Sequence, residues 1–304
     1  METEAQLISK HLAENINDKS LYELILNAWS LKQDISGNAM DFYKPIRTVA
    51  VSVTGSECEL NCAHCGGHYL KAMVPIGNAI QEAVRIRASS CLISGGCSSN
   101  GKVELKYSTD KIRELKGIYK INLHAGLLKD EDIEEVSRMA DVVSLDMPAS
   151  DRIIREVYGL RFSTDDYIDM YLRLREKVKV IPHICIGLDE GIEPGLSILD
   201  VLPEINPQNL CFIVFIPTSN TRFENRRPPE IFNVIKVLAS ARLRLPHTNI
   251  VLGCMRPGGI YRRTLDNLAI VSGINGLVMP AQSAVTQAEL MGIEAVWKEE
   301  CCAF

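Results

Sequence analysis

The 304-residue sequence has no apolar run approaching the roughly 20 residues that a membrane-spanning helix needs. Its charge is also unremarked: 33 Lys and Arg against 38 Asp and Glu leave a net −5. The basic residues are scattered, apart from Arg222, Arg226 and Arg227 and the pair Arg262–Arg263, so a nucleic-acid-binding face has no electrostatic footprint. The opening stretch Met-Glu-Thr-Glu-Ala-Gln is acidic and polar, which argues against a secretory leader. There is no low-complexity segment and no internal repeat at periods of roughly 20–50 residues, which excludes solenoids and arrays. The expectation is a cytoplasmic chain without membrane or nucleic-acid partners. With 46% apolar residues it can bury a large core, and its length suits one large α/β barrel or two ordinary domains.

Cysteine is what the chain does have. Ten of them, without a leader, point to reduced thiols and cluster or metal chemistry. Three stand in Thr-Gly-Ser-Glu-Cys58-Glu-Leu-Asn-Cys62-Ala-His-Cys65-Gly-Gly, directly after the apolar run from Val49 to Val53. Three thiolates on one short loop can hold three irons of a 4Fe–4S cube. The fourth iron is then open to bind a small molecule and pass it an electron. Structural zinc wants four closed ligands, usually as two pairs, and no second pair occurs at zinc-ribbon spacing. His64 or His68 could still supply a fourth ligand, so zinc stays open beside the iron–sulfur reading.

Residues 4–32 show apolar residues at three- and four-residue steps, which predicts helices, with Asp18 or Ser20 as a cap for the second. From residue 46 strand-like and helix-like segments alternate. The expected strands are 47–53, 90–94, 119–123, 142–146, 179–186, 209–215, 249–253 and 274–278, with helices such as 129–139 and 230–243 between them. Eight strands with intervening helices predict an α/β fold, a (β/α)8 TIM-type barrel, closed or partial. The expected organisation is a helical N-terminal extension (1–45), a barrel domain (46–296) and a cysteine-containing tail (297–304).

Active groups of such barrels sit at the C-terminal ends of the strands. The knuckle, Ser94-Gly95-Gly96-Cys97, Asn122, His124, Asp146, Cys185 and Cys254 to Arg256 all fall there on these boundaries. Two glycines after a strand let backbone approach a ligand, or form a plain turn. Asp146 could accept ribose hydroxyls or cap the next helix, a task open also to Ser150 or Asp151. Arg161 offers a forked donor to a carboxylate, or is a surface residue. Arg256 could bind a substrate carboxylate or pair with an acidic neighbour. Cys91 and Cys211 read as buried core. Cys301 and Cys302, near the chain's end, could join rim cysteines in a second iron–sulfur cluster if the tail folds over the barrel mouth; otherwise the tail is inert.

Together these residues resemble the biotin synthase-like branch of the radical S-adenosylmethionine (SAM) superfamily, from about Ile46 to Pro280. The resemblance rests on the knuckle, on Ser-Leu-Asp146 followed by Leu-Arg161-Phe-Ser-Thr, on Ile-Cys-Ile-Gly-Leu-Asp-Glu190, and on Arg242-Leu-Arg-Leu-Pro-His-Thr-Asn-Ile-Val-Leu. It implies that Cys58, Cys62 and Cys65 hold a 4Fe–4S cluster. It implies that Gly95, Gly96, Asp146 and Arg161 position SAM, and that His64 stacks on adenine where the family usually has an aromatic residue. The family's acidic residue after the two glycines is here Cys97. The ligands of biotin synthase's second cluster do not carry over: Leu92, Asn122, Ile181 and Val251 stand near their places. The resemblance is closest to archaeal-type, biotin-synthase-related proteins such as components of two-protein lipoyl synthases. It implies SAM cleavage, hydrogen abstraction and sulfur insertion in lipoyl biosynthesis. A ferredoxin- or flavodoxin-type electron donor, a second radical SAM subunit and a lipoyl-domain carrier would be the partners. A mutase or cofactor maturase without a sulfur step, and a zinc- or cluster-binding scaffold without turnover, are the alternatives.

Overall fold

The structure, a computed structural model, describes residues 4–189 and 193–304. The chain opens with α1 (Glu4–Asn15) and α2 (Lys19–Ser36). Asp18 caps α2, its Oδ1 accepting from the amides of Ser20 at 2.9 Å and Leu21 at 3.3 Å. There follow β1 (Ala39–Tyr43), β2 (Thr48–Ser52), β3 (Val74–Pro75), α3 (Ala79–Arg85), β4 (Ser90–Ser94), α4 (Thr109–Lys116), β5 (Lys120–Leu123), α5 (Asp130–Met139) and β6 (Val142–Asp146). A π-helical turn (Ile153–Tyr158) and α6 (Thr164–Arg175) lead to β7 (Lys179–Ile186), α7 (Glu193–Ile205), β8 (Asn209–Val214), α8 (Ile231–Arg244) and β9 (Asn249–Leu252). The chain continues through α9 (Gly259–Ala269), β10 (Gly276–Val278), α10 (Gln282–Leu290) and β11 (Glu294–Lys298).

All eleven strands form one parallel sheet in the order β11-β1-β10-β9-β8-β7-β6-β5-β4-β2-β3. Eight of them coincide with the expected strands. The other three were not anticipated: β1 lies inside the expected helical extension, β3 is two residues long, and β11 straddles the expected start of the tail. The fold is a partial TIM-type barrel.

Strand alternation builds its two surfaces. Val49 and Val51 of β2, and Leu210, Phe212 and Val214 of β8, are buried in the layer between sheet and helices. Their neighbours Ala50, Cys211 and Ile213 face the barrel interior, where Ala50 is open to solvent. That the sheet curls is clear from what touches residues 301–304. Cys301, Cys302, Ala303 and Phe304 pack with Val142, Ile181, Cys211 and Ile213, and Cys302 also meets Tyr43, Val251 and Val278. Strands β1, β6, β7, β8, β9 and β10 thus surround one short segment.

That segment closes the end of the barrel opposite the knuckle. The Arg47 amide donates to the Glu299 carbonyl at 3.0 Å, the Cys301 amide to Thr48 Oγ1 at 2.8 Å, and Lys179 Nζ to the Ala303 carbonyl at 3.0 Å. Thr48 and Lys179 are the first residues of their strands, whereas the knuckle follows the end of β2. The expectation of a tail over the mouth is therefore corrected: β11 docks beside β1, and residues 299–304 are a floor.

Outside the sheet, α2 packs on α8. The Arg242 guanidinium, fully buried, stitches this region by donating to the carbonyls of Gly273 at 2.7 Å, Pro246 at 2.8 Å, Thr248 at 3.0 Å and Leu245 at 3.2 Å. Among the described residues no helix is long and apolar enough to cross a membrane.

Candidate cofactor site at the barrel mouth

The knuckle begins where Ser52 ends β2, its Oγ donating to the Gly55 carbonyl at 2.7 Å. A tight turn around Cys62 brings the thiols together: the amides of Cys65 and Gly66 donate to the Cys62 carbonyl at 3.2 and 2.9 Å. Neighbouring loops clamp it. The Ala63 amide donates to the Val157 carbonyl of the π-turn at 2.8 Å, and the Phe223 amide donates to the Ala63 carbonyl at 3.0 Å. From the β4 side, the Glu59 amide donates to the Cys97 carbonyl at 2.9 Å and the Gly96 amide to Thr54 Oγ1 at 2.7 Å. Gly96 is pressed so close that a Cβ there would lie 1.9 Å from the Glu57 carbonyl oxygen and 2.6 Å from Cys58 Cα. Gly95 beside it meets the Val53 and Thr54 side chains.

The ligating atoms of Cys62, His64 and Cys65 lie within 4.8 Å of one another. Cys58 Sγ stands 3.9 Å from the Cys97 carbonyl, within electrostatic reach of Cys62. The close approach of Cys62 and Cys65 raises the first thiol, with burial adding to the rise, and lowers the second, with His64 adding to the fall. The thiolate is the ligating form, and the Cys65 thiol is shifted toward it. His64 Nδ1 is buried without a hydrogen-bond partner, and the ring lies 5.7 Å from that of Tyr158.

Asp146, at the end of β6, faces this knuckle. Its side chain is open to solvent within the mouth, and enclosure by the surrounding walls raises its pKa, opposed by His183 and His64. Cys97, Cys185, Tyr158 and Tyr167 all feel its charge. The helix-capping alternative is taken by others: Ser150 Oγ accepts from the Ile153 amide at 3.3 Å, and Asp151 Oδ1 from the Thr164 amide at 2.8 Å. Arg161 lies exposed after the π-turn, and its guanidinium has no ion pair or hydrogen bond among the described residues. Glu190 lies outside the described residues.

Other expectations are corrected. Arg256 is closed to any substrate: its guanidinium pairs with Asp266 at 2.7 and 2.9 Å, both side chains wholly buried. Asn122 belongs to the floor, accepting from Ser144 Oγ at 3.0 Å with its amide 3.8 Å from Cys301 Sγ. Cys91 and Cys211 are both buried as expected, Cys91 in the sheet–helix layer and Cys211 on the barrel's inner side. His183 was missed. It shares the inner face of β7 with Ile181 and Cys185, a period-two pattern that was legible, and its ring lies 5.3 Å from that of His124. Burial, then His183, pushes His124 down to about 3.

These residues fit a 4Fe–4S cluster with SAM. The chain presents three thiols on one clamped loop, an imidazole nitrogen without a protein partner, and a solvent-open carboxylate across the mouth.

No protein-family model matches the chain. The biotin synthase of Clostridium botulinum (strain Langeland / NCTC 10281 / Type F) is 25% identical over 293 residues, covering 90% of this chain and 87% of that one. Among solved structures, methylornithine synthase (PylB) has a TM-score of 0.69 at 16% identity, over 97% of this chain and 94% of that one. The FeFe-hydrogenase maturase HydG from Carboxydothermus hydrogenoformans has a TM-score of 0.67 at 18% identity, over 89% of this chain and 66% of that one. At such identities the likeness to these structures speaks for the fold alone.

Proposed function

We propose that this chain, a radical SAM enzyme of the biotin synthase-like branch, inserts sulfur into an unactivated alkyl chain in lipoyl biosynthesis, the substrate being an octanoyl group on a lipoyl-domain carrier. One observation supports this above the rest. The same barrel interior that has the knuckle and Asp146 at its mouth has the thiols of Cys211, Cys301 and Cys302 at its floor.

On this reading Cys58, Cys62 and Cys65 hold the 4Fe–4S cluster, while the Gly95–Gly96 backbone, Asp146 and Arg161 hold SAM. Bound together, the two cofactors supply a 5′-deoxyadenosyl radical by one-electron cleavage of SAM. Asp146 accepts the ribose hydroxyls from its solvent-open position in the mouth. Arg161, unengaged at the rim, is a matched donor for the methionine carboxylate. The inner wall between mouth and floor includes Leu92, Ile181 and Ile213, an apolar lane suited to methylenes. His124 stays neutral there, so its imidazole sets no charge against an alkyl chain. Tyr158 and Tyr167 help shield the mouth, where water would quench reactive species. A ferredoxin- or flavodoxin-type protein is the electron donor in this scheme, and a second radical SAM subunit its partner.

The test is anaerobic incubation of the enzyme with SAM, a reductant and an octanoylated lipoyl domain, followed by mass spectrometry. The expected product carries sulfur on the octanoyl chain alongside 5′-deoxyadenosine. Asp146→Ala and Arg161→Ala should each weaken SAM binding roughly tenfold to a hundredfold, for a lost charged contact of about 1.5–3 kcal/mol, with iron content unchanged. Deoxyadenosine without any sulfur gained by the carrier would reject lipoyl chemistry in favour of an enzyme with no sulfur step.

A further inference from the structure

We propose that an arginine-walled cavity over the knuckle is where the electron donor docks, the donor being an acidic, low-potential carrier protein. Three guanidinium groups stand on this part of the rim: Arg152 just before the π-turn, and Arg222 and Arg226 on the loop after β8. Arg152 is neutralised, its Nε donating to Asp189 Oδ2 at 3.0 Å. The other two are held by groups that orient a cation without cancelling its charge. Arg222 Nη2 donates to the Glu156 carbonyl at 3.3 Å, and Arg226 Nη1 to the Leu188 carbonyl at 3.3 Å. The Arg226 guanidinium lies 3.5 Å from the centre of the Phe223 ring. Neither has a carboxylate partner among the described residues, although the exposed Glu156 side chain borders the same cavity. Arg227 adds an exposed cation to the loop, and Glu224 opposes it with a carboxylate that accepts from the Asn220 amide at 2.8 Å.

This loop is the cover of the knuckle. The Tyr69 and Thr218 hydroxyls meet at 2.9 Å, and a Cβ at Gly66 would touch the Thr221 side chain at 3.5 Å. Ala63, between Cys62 and Cys65, is bonded through its backbone to Phe223 on one side and Val157 on the other. Val157 and Phe223 are themselves walls of the cavity. One apolar layer, Ala63 with Val157 and Phe223, thus parts the cavity from the cysteine loop. An electron can tunnel through such a layer, whereas a substrate cannot pass it. None of Cys97, His124, Asp146 and Tyr167, which surround the mouth, lines the cavity. A carrier that delivers an alkyl chain has to open onto the interior. An electron donor has only to rest against the cover, and this favours the donor as occupant.

Charge points the same way. The chain is net −5, yet Arg222, Arg226 and Arg227 gather on the one loop that covers the knuckle. Forked guanidinium donors match the carboxylates of an acidic partner, and a local excess of one sign steers such a partner to the surface that has it. The docked carrier gives up one electron through the cover to the cluster on Cys58, Cys62 and Cys65. The carrier is oxidised and the cluster reduced by that electron, and no bond of this chain is made or broken. The inference rests on a cluster at the knuckle and not on lipoyl chemistry.

The test mixes the cluster-loaded enzyme anaerobically with a reduced flavodoxin of net negative charge. Freeze-quench electron paramagnetic resonance counts the reduced cluster, and calorimetry measures binding. Arg222→Glu with Arg226→Glu should weaken flavodoxin binding and slow cluster reduction by it about tenfold or more at low salt. Dithionite, a small reductant that needs no docking surface, should reduce the native enzyme and the variant equally fast. Added salt should bring the native enzyme down toward the variant. Arg263→Glu, an exposed charge on α9, should change nothing. If the double variant does not fold, Arg222→Gln alters only an exposed side chain and should make flavodoxin binding less sensitive to salt. Native enzyme that binds no flavodoxin, or a folded variant reduced by it at the native rate, would overturn the proposal. So would an octanoylated lipoyl domain that loses affinity for the variant while flavodoxin keeps its own, which would give the cavity to the substrate carrier. A native enzyme that dithionite cannot reduce would remove the cluster and this proposal with it. Absence of thiolated product would reject the lipoyl reading and leave the docking site standing.

Discussion

Gly96 shows how much of this site depends on a missing atom. With a carbonyl oxygen 1.9 Å from where its Cβ would be, alanine must push the β4 loop away from Cys58. Gly96→Ala should cost about 1–3 kcal/mol of stability and lower the iron loaded per chain, measured by urea unfolding and iron analysis. His124 makes a different demand. Its pKa falls from an ordinary 6.5 to about 3 in the folded chain, so the unfolded chain binds the extra proton between those values. The contribution is fully present above pH 6.5 and is lost as pH falls toward 3. The urea midpoint should therefore drop between pH 7.5 and pH 5, and His124→Asn should flatten part of that drop; an equal drop in the variant would refute the assignment.

At the scale of elements, the loop after β9 is held to α9 by Arg256 and Asp266. Arg256→Met leaves a buried carboxylate unpaired and should cost about 3–5 kcal/mol, seen as a lower urea midpoint. Asp266→Leu added to it should recover much of the loss, and SAM affinity should stay unchanged throughout. The eight strands that build most of the barrel were legible because each is a short apolar run between turn residues. The strand β1 was not, since Asp41 interrupts its pattern and the Tyr43 hydroxyl donates to that carboxylate at 3.1 Å. Nor was β11, whose outer residues are charged and whose Trp297 is half exposed. The knuckle, Gly96 and Asp146 are local signals that a sequence displays directly. His183, the Arg256–Asp266 pair and the site of Cys301 and Cys302 depend on which strands face each other across the barrel, which local patterns do not encode.

For the whole molecule, the floor segment is the feature that turns an open curl into an enclosure. Deleting residues 299–304 removes its contacts with Thr48, Lys179 and the inner strands, and should lower thermal stability. Deoxyadenosine formation at the knuckle should persist, and on the proposed sulfur-inserting reading thiolated product should be lost; both can be read from one reaction by chromatography and mass spectrometry. The place of β1 has a consequence in time. It sits between β10 and β11, so Asp41 finds its partners Gly276 and Val296 only after nearly the whole chain has been ordered. Such distant pairing makes for slow closure. Until it happens, β10 offers a bare edge to any other chain, which is the condition for aggregation. Refolding yield should accordingly fall with protein concentration, and in pulse-labelling hydrogen exchange the amides of β1 and β11 should gain protection last and together.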